Sequence, residues 1–191
     1  MKCSVFIATS ADGYIASEDG GVEWLETAGN ANVDMDEQAD MGFASYIADV
    51  DCMIMGRKCM EKISSFNLTS EQWPYGDRRI LVLSNTLTEV PDNLKGKVEL
   101  YSGEIPALIS QLENKGYRHA YIDGGVTITY FINLKLINEM TITQAPILLG
   151  KGKPLFGKIE KQIKLENAQA KVYTNDFIQI RYNVNYTNSV N

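Results

Sequence analysis

Three stretches of this 191-residue chain carry residue types and spacings that could hold an anionic ligand. They are Cys52-Met53-Ile54-Met55-Gly56-Arg57-Lys58, Ile80-Leu81-Val82-Leu83-Ser84-Asn85 and Ala120-Tyr121-Ile122-Asp123-Gly124-Gly125-Val126. Each reads as the carboxyl end of a buried strand running into a turn and a helix. In a parallel sheet, the crevice outside such strand ends is where ligands bind. A glycine turn followed by a helix N-terminus presents free N–H groups and the positive end of a dipole to an anion. Two glycine turns, one followed by Arg57 and Lys58, suit a ligand with several phosphates. A dinucleotide fits that description.

The single histidine, His119, removes whole mechanistic classes. A Ser-His-Asp or Cys-His hydrolase would need it as a base. It sits instead beside Arg118 at the start of a strand-like run, at the end opposite the crevice, and reads as a surface residue. Multi-histidine metal sites are excluded, and no carboxylate cluster has metal-like spacing. Cys3, Cys52 and Cys59 are odd in number and lack CxxC spacing, which suits free thiols in a reducing compartment.

A formal net charge of −6 argues against nucleic acid as a partner, because binding phosphates over a surface needs a basic stripe. No apolar run approaches the roughly 20 residues needed to span a bilayer. The strand-like Cys3–Ala8 opens the chain with no signal-peptide pattern, so a cytoplasmic protein without membrane contact is expected. With 45% hydrophobic and 22% charged residues, the composition is that of an ordinary globular chain able to bury its own core. One domain over residues 1–187 is expected, with a frayed tail at 188–191.

The elements that must position the turns follow from periodicity. Strand-like runs fall at 2–9, 51–55, 79–84, 97–101, 118–122 and 138–146, with two more between about 161 and 186. Helical spacing covers 34–48, with Met35, Phe43 and Ile47 on one face; 105–115, with Ile105, Leu108, Ile109 and Leu112; and 125–134. Alternating strands and helices imply right-handed crossovers and a mostly parallel sheet covered on both faces. Tyr173-Thr174-Asn175-Asp176-Phe177 reads as a hairpin turn, which predicts an antiparallel C-terminal edge. Between Asp12 and Leu25 lies a glycine-containing loop that predicts a mobile lid, with Ile15, Trp24 and Leu25 able to anchor it on the core.

These motifs resemble the dihydrofolate reductase-like superfamily, most closely the reductase domain of riboflavin biosynthesis and its stand-alone bacterial relatives. The resemblance rests on Phe6-Ile7-Ala8-Thr9-Ser10-Ala11-Asp12-Gly13-Tyr14-Ile15-Ala16, Ile54-Met55-Gly56-Arg57-Lys58, Asp123-Gly124-Gly125 and Ala145-Pro146-Ile147-Leu148-Leu149-Gly150-Lys151-Gly152-Lys153-Pro154-Leu155-Phe156. It implies a three-layer α/β fold and an NADPH-dependent oxidoreductase. The backbone at Ala8 would hold the nicotinamide carboxamide, with Ile15 packed beside the ring. Gly56 would make the sharp turn, and Arg57, with Lys58 beside it, would face the adenosine 2′-phosphate. Ser84 would reach the adenosine side. Gly124, Gly125 and the helix start at Val126 and Thr127 would take the pyrophosphate, across a Gly-Gly bond that is often cis in the family.

On the substrate side, Asp40 matches the spacing of the substrate-binding carboxylate of dihydrofolate reductases. The resemblance makes it a candidate to anchor a small ribosyl-pyrimidine or pterin-like substrate or to relay a proton. An N-terminal helix aspartate welcomed by the dipole is the other reading of the same residue. The riboflavin-pathway reductases carry a lysine where this chain has Phe6, and a Ser-Lys-Trp-Ile-Thr-like segment that is absent here. Lys151 and Lys153 offer alternative cations. A homodimer is the expectation from the same relatives. A non-catalytic NADPH or ligand sensor on this fold, or a reductase of an unrelated carbonyl or imine, remain the competing functions.

Overall fold

A computed structural model describes residues 1–187, so the tail at 188–191 lies outside the described residues. The chain runs through β1 (Lys2–Ser10), β2 (Tyr14–Ala16), α1 (Trp24–Thr27), α2 (Phe43–Ala48), β3 (Cys52–Gly56), α3 (Arg57–Ser65), β4 (Arg79–Leu83), β5 (Glu99–Tyr101) and α4 (Ile105–Asn114). It continues through β6 (His119–Asp123), α5 (Gly125–Asn133), β7 (Glu139–Ala145), β8 (Lys153–Pro154), β9 (Lys164–Val172) and β10 (Ile178–Asn185). Eight strands form one sheet in the order β5-β4-β3-β6-β1-β7-β10-β9. All pairings from β5 to β7 are parallel, and β10 runs antiparallel to both of its neighbours. This is the three-layer α/β architecture, with an antiparallel C-terminal edge, that the alternation of strands and helices implies.

The central strands are near-continuous apolar runs because both of their faces are covered. Cys52, Met53, Ile54 and Met55 of β3 are all at most 1% exposed. One face packs on α4 and α5 through Leu108, Leu112, Ile128 and Phe131. The other packs on α2 and α3 through Ile47, Met60 and Ile63, with an aromatic group of Phe6, Phe43, Tyr46, Tyr75 and Tyr121. Phe6 stacks on Tyr46 at 4.8 Å between ring centroids, so position 6 fills core here and offers no cation to a ligand. The hairpin expected at 173–177 is present: Tyr173 N–H donates to the Phe177 carbonyl at 2.9 Å, and Asp176 takes φ +71°.

Four expectations are corrected. The continuous helix over 34–48 is broken, because Met41 (φ +51°) and Gly42 (φ +88°) leave the helical region and only Phe43–Ala48 follows as α-helix. Its apolar residues serve different clusters: Met35 packs beside Tyr173, Phe43 and Ile47 beneath α2. No helix follows β4 directly; Ser84 instead closes a turn, its hydroxyl oxygen accepting from the N–H groups of Thr86 and Leu87. The Gly124–Gly125 bond is trans, and Gly124 makes the turn through φ +91°, ψ 133°.

The fourth correction concerns the loop after β1, which is tied down instead of free. The Asp12 carboxylate accepts from the Ser10 hydroxyl at 2.6 Å and from the N–H groups of Leu149 (3.1 Å) and Gly150 (2.7 Å). These bonds hold its carboxyl below the usual range. β2 pairs with β8, and Leu155 N–H donates to the Gly13 carbonyl at 3.0 Å. Two loops distant in sequence thus form one layer over the strand ends.

Candidate functional site

The helices following β3 and β6 leave on opposite faces of the sheet, α3 toward one core cluster and α5 toward the other. Since β3 and β6 are neighbours, this is a topological switch point, where open α/β sheets place their ligand crevice. The two glycine turns meet there. A Cβ on Gly56 would stand 2.9 Å from Thr127 Oγ1, and one on Gly124 would stand 2.3 Å from Cys59 Sγ. The N-termini of α3 and α5 are therefore packed side by side, their unsatisfied N–H groups on the same side of the sheet. Gly125 lies against the loop layer: its Cβ would fall 2.5 Å from the Pro154 carbonyl, 2.9 Å from that of Leu155 and 3.3 Å from Ile15 Cδ1.

β1 supplies an open edge next to these turns. Its pairing with β6 ends at Ser4–Tyr121, whereas that with β7 runs on to Ser10–Ala145. Ala8 thus sits in the stretch with a strand on one side only. So Ala8, Ile15, Gly56, Gly124, Gly125 and Thr127 are brought together around the crevice. Arg57 and Lys58 stand at its rim in the first turn of α3, sharing Glu61 at 3.4 and 3.0 Å. Such exposed pairs are worth little and release their cations easily. Val126 is 84% exposed at the start of α5. Ser84 lies beyond β3, at the end of β4.

Asp40 is an exposed capping residue. Its carboxylate accepts from the N–H groups of Gly42 (2.9 Å) and Ala44 (2.7 Å), and these bonds keep it ionised to lower pH than usual. A carboxylate so held binds its helix, and binds a proton poorly. Lys151 borders an open depression that it shares with Glu18 and Asp19, acidic neighbours unsuited to an anion. Lys153 is exposed on β8.

Asp123 is the residue that sequence reasoning passed over. It ends β6, just ahead of the paired glycines, with its side chain among Tyr121 and Cys59. Burial pushes its carboxyl up, only partly offset by bonds from the Gly124 N–H, Cys59 and Tyr121. By strand register it pairs with Met55 of β3, directly before the Gly56 turn. A carboxyl group pushed toward neutrality in a crevice is what a general acid requires. The available signal was its place immediately before the glycine turn; its environment comes from residues distant in sequence. The three cysteines are free thiols, and burial pushes those of Cys3 and Cys52 up to about 12.

His119, read as a surface residue, is half-buried and lines a cavity of about 460 Å³ beneath α2. Its Nδ1–H donates to the Asp49 carbonyl at 2.9 Å, which leaves Nε2 to accept from the Ser4 hydroxyl at 2.7 Å. Tyr46 Oη joins Ser4 at 2.8 Å. Burial lowers the His119 pKa. The unfolded chain therefore binds this proton more tightly, and the stability that neutral His119 contributes is lost as pH falls below about 6.5, its unfolded value. Thermal melts should show lower midpoints from pH 7 to 5, with a shallower decline in His119→Gln. Equal slopes would remove His119 from the acid response.

Among the described residues no helix is long and apolar enough to cross a membrane, and no cluster of metal-ligating side chains occurs. The architecture is that of riboflavin-pathway reductases and dihydrofolate reductases. A protein of Shewanella sp. PV-4 assigned to riboflavin biosynthesis superposes with a TM-score of 0.84 at 42% identity, over 96% of this chain and 99% of that one. Saccharomyces cerevisiae riboflavin biosynthesis reductase Rib7 (TM-score 0.66, 11% identity, covering 96% and 89%) shares the fold. So does Enterococcus faecalis dihydrofolate reductase in complex with NADP(H) (TM-score 0.61, 13% identity, covering 96% of both chains). Residues 2–179 match the RibD C-terminal domain, and the chain belongs to that family. The Bacillus subtilis (strain 168) protein YwjB is 27% identical over 183 residues, 95% of this chain and 97% of its own. Family and the 42%-identical neighbour together place the chain among the relatives of riboflavin-biosynthesis proteins.

Proposed function

We propose that the protein is an NADPH-dependent reductase of a small ribosyl-pyrimidine or pterin-like substrate. The observation that carries this reading is the junction of two glycine turns and two helix N-termini beside the open edge of β1. The cradle fits a pyrophosphate, because backbone N–H groups converge where side chains would collide. NADPH, when bound, supplies the hydride. Gly125, Val126 and Thr127 hold the diphosphate at the start of α5. Arg57 turns from Glu61 to the 2′-phosphate, for which a guanidinium fork is suited. Ala8 backbone groups and the Ile15 side chain orient the ring, and the layer pinned by Asp12 keeps water out. Asp123 donates the proton that balances hydride transfer to a carbonyl or imine carbon. Asp40 orders the entry to α2 and stays charged.

Arg57→Ala should weaken NADPH binding by about 10- to 100-fold, the scale of a charge-assisted hydrogen bond, and leave NADH binding nearly unchanged. Equal losses for the two cofactors in a calorimetric titration would assign Arg57 another purpose. Turnover is tested by following NADPH oxidation with dihydrofolate, the ribosylamino-pyrimidine intermediate of riboflavin synthesis and related pterins. Tight NADPH binding with no oxidation by any of them would favour a sensor.

A further inference from the structure

β1 and β6 separate just before the crevice, and one phenol bridges the gap between them. Their ladder ends at Ser4–Tyr121, while β1 runs on to Ser10 beside β7 alone. The Phe6 carbonyl lies past that end, and the Tyr121 hydroxyl donates to it at 2.9 Å. The same hydroxyl stands 3.4 Å from Asp123 Oδ1, a long contact that a charged carboxylate would shorten. Tyr121 and Asp123 are two residues apart on β6, so both side chains project from the α3 face of the sheet, where Tyr121 is buried. A hydroxyl carries one hydrogen, so it serves the carbonyl or the carboxylate. Rotation about the C–O bond switches it between them without moving a heavy atom.

The surroundings make hydrogen bonding the lever on Asp123. The titratable groups that face it are Cys59 of α3, Tyr75 of the segment before β4, Tyr46 of α2 and Tyr121 itself. Burial pushes all four up, so each is uncharged near neutrality and none offers Asp123 a counter-charge. What opposes burial is the set of bonds from the Gly124 N–H, Cys59 and Tyr121. Of these three donors, Tyr121 is the one that also bonds β1, two residues before Ala8. A neutral Asp123 leaves the hydroxyl on the Phe6 carbonyl. An ionised Asp123 competes for it with a charge-assisted bond, roughly twice as strong as a neutral one.

We infer that Tyr121 is a positioning residue for proton transfer: it ties the Asp123 carboxyl to the Ala8-bearing segment of β1 and turns its hydroxyl from one to the other as Asp123 loses or regains its proton. The inference rests on the reductase reading for the role of Asp123; the hydroxyl switch itself does not. In the transfer, the Asp123 O–H bond breaks and its proton goes to the heteroatom of the carbonyl or imine whose carbon receives the hydride. The carboxylate left behind draws the Tyr121 hydroxyl from the Phe6 carbonyl. A proton from solvent restores the acid, and the hydroxyl returns to Phe6. Tyr121 keeps its own proton throughout, because its burial holds the phenol far from ionising.

The test follows the Asp123 carboxyl directly, by ¹³C NMR titration of the aspartate-labelled protein, in wild type, Tyr121→Phe and Tyr46→Phe. Tyr121→Phe keeps the ring and removes a hydroxyl that favours the charged form. The Asp123 midpoint should therefore rise by about one pH unit, a tenfold gain in proton affinity. Tyr46→Phe removes a neighbouring buried hydroxyl that bonds Ser4 instead, and should leave the midpoint in place. A 3-fluorotyrosine at position 121, a more acidic phenol and a stronger donor, should lower the midpoint, and it serves also if Tyr121→Phe does not fold. In turnover assays, the alkaline limb of kcat should move up in Tyr121→Phe by the same amount, with a lower plateau. An unmoved midpoint in Tyr121→Phe, an equal rise in Tyr46→Phe, or a fall in kcat with the limb in place would each overturn the inference. A raised midpoint in a protein that oxidises NADPH with no acceptor would keep the hydroxyl switch and overturn the reductase reading. An unmoved midpoint in an active reductase would do the reverse.

Discussion

Gly125→Ala should lower both stability and NADPH affinity although it adds a single methyl group. The new Cβ would lie 2.5 and 2.9 Å from the carbonyl oxygens of Pro154 and Leu155. Backbone atoms cannot swing aside as a side chain can, and this segment is anchored through Leu155 to Gly13 and through Gly150 to Asp12. Overpacking of this kind costs about 1–3 kcal/mol. For a chain of this length that is a melting temperature lower by roughly 2–12 °C. Because the displaced layer covers the cofactor crevice, NADPH should weaken by at least about tenfold, or about 1.4 kcal/mol. Gly157→Ala is the control, since its nearest neighbour would be Thr129 at an ordinary 3.6 Å, and it should leave both quantities unchanged. Wild-type melting and NADPH affinity in Gly125→Ala would show that the layer does not bear on the site.

Asp123→Asn should separate stability from activity. Burial raises the Asp123 pKa, so the folded state binds this proton more tightly than the unfolded chain does. Its ionisation therefore weakens the fold as pH rises from about 3.9, the unfolded value, through the raised folded one. Asparagine keeps the shape and the bond from the Gly124 N–H without that cost. The variant should melt at or above the wild-type temperature at pH 7. If Asp123 is the acid, kcat should fall by about 10²- to 10⁴-fold with NADPH affinity preserved. The wild-type rate should decline as pH rises through the Asp123 pKa, and the variant should lose that limb. Full activity in Asp123→Asn would remove it from the mechanism; a destabilised variant would show that its charge supports the fold.

The cofactor side of the site was legible because it depends on local rules. A strand buried on both faces must be a continuous apolar run, and a turn that brings two helix starts together must be glycine, so Cys52–Gly56 and Ala120–Gly125 announce themselves. The substrate side was not, because it is assembled from contacts distant in sequence. Asp123 owes its raised pKa to burial, and His119 its burial to Ser4 and the approach of α2. Periodicity over 34–48 misled because apolar residues at helical spacing cannot reveal that Met41 and Gly42 adopt positive φ. The loop after β1 looked mobile since its restraint comes from Leu149 and Gly150, more than a hundred residues on.

The central claim is that NADPH binds across the paired glycine turns, and the most direct measurement is an amide shift map of the ¹⁵N-labelled protein titrated with NADPH. Saturable shifts should concentrate at Ala8, Ile15, Arg57, Lys58 and Gly124 to Thr127, with those of Arg57 and Lys58 reduced when NADH replaces NADPH. Shifts centred on β9 and β10 with the glycine turns silent, or no saturable shifts at all, would contradict it.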